Sequence, residues 1–169
     1  MQTAGVGSNR IRRAIHSSKA SLEASARPPK PVQCPFPAND QYTTMKYLLF
    51  IALGGASGAV TRYLLGSWAH KLWEGNLPVG TLMVNVLGSF GIGVVYVLLV
   101  EKQLIHQDWR GVLMVGFLGA FTTFSTFSLE TISLMEAGHI ALAVAYMLAS
   151  AVLCVVMAGA AMQLTRALV

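Results

Sequence analysis

Between Gly116 and Glu130 the chain reads Gly-Phe-Leu-Gly-Ala-Phe-Thr-Thr-Phe-Ser-Thr-Phe-Ser-Leu-Glu. Five hydroxyl residues (Thr122, Thr123, Ser125, Thr126, Ser128) stand there, interleaved with Phe121, Phe124 and Phe127. A hydroxyl donates one hydrogen bond, and the edge of an aromatic ring is its positive side. Side chains of these two kinds can sit against an anion without supplying a charge that titrates. Phe124 and Phe127 are three residues apart and share a helical face, with Ser125 and Thr126 beside them. Core packing is the ordinary role of such a pair, but the interleaved hydroxyls argue against it here. Gly116 and Gly119, ahead of Thr122 and Thr123, weaken a helix at this point. Inside a membrane, carbonyls freed there must line a cavity or bind something.

Asn85 is a second candidate. Thr81, Asn85 and Gly88 fall at i, i+4 and i+7, on one helical face. The amide has two N–H donors and one carbonyl, suited to an anion, to orienting a neighbour, or to an interhelical hydrogen bond. Arg62 follows Gly54-Gly-Ala-Ser-Gly-Ala59, whose small residues four apart permit close helix approach. A cation near the end of a span either snorkels or raises anion concentration at a pore mouth; both readings stay open. Tyr146, Ser150 and Cys154, each four apart, share a face. They either continue a donor track or pack with local back-bonding. Glu130 is the acid set well inside an apolar run, a functional candidate by type unless water lies close. His70, His106 and His139 show no metal-ligand spacing, and no nucleophile–base pair or P-loop pattern appears. No enzyme is expected.

The elements that must position these residues follow from composition. Hydrophobic residues make up 54% and charged residues 11%, against about 25% charged in soluble domains. Apolar runs of roughly 20 residues, the length of a membrane span, are separated by short polar breaks. Four helices are predicted, over about 46–66, 79–100, 111–134 and 140–164. The fold class is an all-α membrane protein, the domain 45–169, with an even number of spans returning the chain to its starting side. Trp68 and Trp73 after the first span, and Trp109 before the third, fit interfacial anchors. Four spans enclose little by themselves, so a homodimer is expected. Residues 1–44 hold six Lys/Arg against two acids and five of the six prolines. They read as a disordered extension, with Met45 as the functional start. Residues 45–169 hold six basic against five acidic residues, which is no nucleic-acid footprint. Cys34 and Cys154, in tail and span, are not expected to pair.

Three motifs in order resemble the Fluc/CrcB family of small fluoride channels. They are Gly54-Gly-x-x-Gly-Ala-x-x-Arg62-Tyr63, Gly80-Thr-Leu-x-Val-Asn85-x-x-Gly88-Ser89 and Gly116-Phe-Leu-Gly-x-Phe-Thr-Thr-Phe-Ser-Thr-Phe127. The resemblance runs from about Met45 to the C-terminus. It implies an antiparallel, dual-topology homodimer in the bacterial inner or plasma membrane, with a broken third helix and two fluoride pathways. It assigns Phe124 and Phe127 to an aromatic box, Asn85 to the pore, and Ser125 and Thr126 to a hydroxyl track. Tyr146 and Ser150 are its fourth-span members. A structural sodium ion on the dyad would be held by the backbone carbonyls of Gly119 and Thr122 from each subunit. Cys154 stands where some members carry a hydroxyl, and a thiol donates more weakly. The implied activity is passive export of cytoplasmic fluoride, giving fluoride resistance.

Two other classes compete. A small multidrug resistance-type proton-coupled exporter needs a deep acid in its first span, and residues 46–66 contain none. A non-transporting membrane scaffold leaves the hydroxyl-rich third span unexplained.

Overall fold

The computed structural model describes residues 45–73, 75–106 and 108–169. The disordered extension assigned to residues 1–44 lies outside them. The described residues form four helical spans long and apolar enough to cross a membrane: Met45–Leu72 (α1), Val79–Glu101 (α2), Gly111–Glu136 and Ile140–Leu168 (α5). The shortest has 23 residues and reaches about 35 Å at 1.5 Å per residue, enough for a hydrocarbon core of about 30 Å. Within the third span, residues 111–121 form α3 and Phe124–Glu136 form α4. This is a multi-pass membrane protein.

The ends of these helices follow local chemistry. Pro78 stands just before α2, where its missing N–H costs nothing. Gly138, at φ +82°, closes α4. There the N–H groups of Gly138 and His139 donate to Met135 O (3.0 Å) and Leu134 O (2.9 Å), satisfying last-turn carbonyls as a Schellman cap does. α1 runs to Leu72, beyond the predicted end near residue 66. Trp68 therefore rides on the helix, exposed, instead of following it. The helix continues because nothing between Gly66 and Leu72 breaks it: no proline, and a single glycine at its start.

Glycines set the packing distances. A Cβ on Gly54 or Gly58 would collide with the backbone carbonyl of Val112 or Phe117, so α1 lies directly against the backbone of α3. Gly93 of α2 meets Ala158 of α5 in the same way, its Cβ position 2.5 Å from the Ala158 carbonyl oxygen. In lipid no hydrophobic force drives helices together, and such close approach gives them their dispersion contact. α3 is wound in wider π-type turns over Gly111–Leu118. Large apolar side chains such as Leu53, Leu64, Leu148 and Val155 point outward, as suits lipid. At one end of the bundle Arg166 donates through Nε to Glu101 Oε2 (2.9 Å), joining α5 to α2.

Candidate functional site

Helical geometry stops at Phe121. Thr122 is extended (φ −79°, ψ 156°), as is Thr123 (φ −150°, ψ 116°), and α4 begins at Phe124. Two bare peptide units inside a membrane would cost several kcal/mol, so their partners matter. Thr123 is held by Asn85 of α2: its N–H donates to Asn85 Oδ1 (2.8 Å), and its carbonyl accepts from Asn85 Nδ2 (3.0 Å). One amide thus replaces both missing backbone bonds. Of the roles open to Asn85 on sequence, orienting a neighbour is the one this geometry displays, and one of its two N–H donors is left over.

Thr123 also caps α4. Its Oγ1 accepts from the Thr126 N–H (3.2 Å) and donates to Thr126 Oγ1 (2.9 Å), with Ser125 Oγ 3.3 Å away. Ser125 and Thr126 remain exposed, and the Phe124 ring, 79% exposed, stands beside them. Phe124 and Phe127 are 5.4 Å apart between centroids with planes tilted 44°, and Phe127 lies 5.2 Å from Tyr146. That tilted run puts ring edges and hydroxyls on one surface. Thr122 turns the other way: its hydroxyl donates back to Leu118 O (3.0 Å), and its methyl presses on Gly88.

Below the break lies a cavity of about 210 Å³ lined by Arg62 of α1, Thr81 of α2, and Thr123, Thr126 and Glu130. Glu130, whose closeness to water the sequence leaves open, is held by two other spans. Its carboxylate accepts from Thr81 (2.7 Å) and Tyr146 (2.9 Å), so three spans converge on it. It also lines a second cavity of about 370 Å³, with Asn76 and His139. Those two hydrogen bonds fix the position of the carboxyl group between α2 and α5.

The structure therefore brings Asn85, Ser125, Thr126, Phe124, Phe127 and Tyr146 together, with Arg62 across the cavity. Ser150, one turn beyond Tyr146, is 6% exposed, and its Oγ has no hydrogen-bond partner among the described residues. Gly119 and Thr122 do not line the 210 Å³ cavity. Among the described residues no three His, Cys, Asp or Glu side chains gather into a metal-binding group. Thr123 is the site residue that sequence reasoning passed over. A threonine directly before a resumed helix is an N-cap signal, and that signal was there to find.

A four-span membrane protein whose third span bears extended backbone and clustered hydroxyls at its middle has the make-up of a conduit for a small polar solute. The family profile described as CrcB-like protein, Camphor Resistance (CrcB), matches residues 49–162, and the chain belongs to that family. A protein of Hahella chejuensis named fluoride-specific ion channel FluC is 47% identical, over 73% of this chain and 97% of its own length. One of the same name from Saccharophagus degradans is 49% identical, over 75% of this chain and 95% of its own. Another, from Agrobacterium fabrum, is 43% identical over 70% of this chain.

Proposed function

We propose that this protein is a fluoride-specific channel that lets cytoplasmic fluoride leave passively, and so confers fluoride resistance. The observation that carries the reading is the surface made by Phe124, Ser125 and Thr126, held in place by the Asn85–Thr123 pairing. It offers donors and ring edges to an anion in a medium that otherwise offers neither. The names of the relatives supply the ion.

Four spans with this surface facing outward suit a homodimer in which the partner covers Phe124. Lys46, Lys102, Arg110 and Arg166 lie toward one side and Arg62 and Lys71 toward the other, a modest bias against which an antiparallel, dual-topology pairing is proposed. A dyad sodium ion fits the donor set. The donor that would cap Gly119 O in a continuous helix is the Thr123 N–H, and Asn85 takes it. The Gly119 carbonyl and that of extended Thr122 are thereby available, and such oxygens suit a hard cation. The ion would tie the broken helices together; conduction is the work of the side chains. Arg62 gathers anions at the cavity, Ser125, Thr126 and the leftover Asn85 N–H replace lost water, and the ring edges of Phe124 and Phe127 stabilise the anion between them. Tyr146 and Ser150 extend this polar strip along α5.

Purified protein in liposomes, with potassium and valinomycin to balance charge, tests the reading. Electrogenic fluoride efflux without chloride efflux, unaffected by collapsing a proton gradient, is the expected result. Flux that needs the gradient points to a coupled exporter, and no fluoride flux ends the proposal.

A further inference from the structure

The motifs leave one group on the cavity unassigned. His70 sits in the last turn of α1, eight residues beyond Arg62 and about 12 Å further along the helix. It lines the same 210 Å³ cavity as Arg62, Thr123, Thr126 and Glu130. Its ring packs beside Gly80 of α2: a Cβ there would stand 3.2 Å from His70 Cδ2 and 3.3 Å from Nε2. Gly80 therefore provides the slot that keeps the imidazole at the cavity rim. His70 itself is exposed.

We propose that His70 is the pH-dependent half of an anion-gathering pair at this mouth, Arg62 being the permanent half. The inference rests on the fluoride-conducting reading. Arg62 and Glu130 line the cavity together with His70. The groups facing His70 are Arg62 and Tyr63 on its own helix, with Lys71 adjacent in sequence. α2 offers Gly80 and Thr81, which carry no charge, and α4 offers Glu130. Glu74, in the α1–α2 connection, lies outside the described residues. Imidazole is the side chain whose charge ordinarily changes between pH 5 and 8. A rim charge acts on local anion concentration and entry rate more than on passage through the interior.

The experiment measures fluoride efflux from liposomes at pH 7.5 and 5.5, well below saturating fluoride, with leak from protein-free vesicles subtracted. Wild type should run roughly twofold to fivefold faster at pH 5.5, the scale of one extra charge at such a mouth. The ratio should fall toward one in 1 M salt, where the screening length is about 3 Å. His70→Gln should show a ratio near one, and His70→Lys should be fast at both pH values, again with a ratio near one. A wild-type ratio near one, or a His70→Gln ratio equal to that of wild type, overturns the assignment while the channel reading stands. Absence of fluoride flux in every variant and in wild type at pH 7.5 overturns both.

Discussion

The two halves of the third span are built on opposite plans. Residues 111–121 are pressed backbone to backbone against Gly54 and Gly58 of α1, and their side chains mostly serve packing. Phe124–Glu136 begins with exposed Phe124, Ser125 and Thr126, and through Glu130 it accepts hydrogen bonds from Thr81 of α2 and Tyr146 of α5. One half is a fixed wall; the other is the surface on which the proposed function rests. The break lets a single span be both, because α4 need not continue the rotation or direction of α3. Substitutions in the wall should therefore destroy the fold, and those on the surface should spare it.

The largest effect is expected at Gly58→Leu. Its Cβ would overlap the Phe117 carbonyl, and overpacking of this kind costs about 3 kcal/mol or more. Size-exclusion chromatography in mild detergent should show little monodisperse protein. Gly55→Ala is the control, since nothing lies within 4 Å of a Cβ there, and it should behave as wild type. Next comes Asn85→Leu, which strips both partners from the Thr123 peptide. Leaving such groups unpaired costs about 1–3 kcal/mol each. Thermal unfolding should shift down clearly and fluoride flux should collapse; a variant that keeps wild-type stability would mean that the break is held by something else. Thr123→Ala removes the cap of α4, worth about 1 kcal/mol, and should lower Tm by a smaller step than Asn85→Leu. Smallest in stability is Phe124→Ile. Its ring is exposed, so Tm should move little and assembly should persist, while fluoride flux drops severalfold or more. Unchanged flux would remove Phe124 from the pathway and blur the contrast between the two halves.

Much of this was legible in the sequence. Apolar runs gave the four spans to within a few residues except at the end of α1, and the hydroxyl–phenylalanine interleave pointed to the surface on α4. Legibility failed where partners are distant in sequence. Asn85 and Thr123 are 38 residues apart, and periodicity places Asn85 on a face without saying which backbone it meets. Glu130 was undervalued for the same reason: its two donors come from α2 and α5, and one-dimensional position gives only depth. The end of α1 was misplaced because a span was equated with a bilayer thickness, whereas a helix with no breaker runs on past it. Arg166 and Glu101 stand 65 residues apart, so no local pattern could join them.

The Asn85–Thr123 pairing also bears on how the chain is made. A threonine peptide with no partner is a poor passenger in hydrocarbon, so the third span is least suited to lipid at its own centre. α2 precedes the third span in the chain and carries the amide that pairs with both the N–H and the C=O of Thr123. The order of synthesis therefore makes that partner before the peptide that needs it.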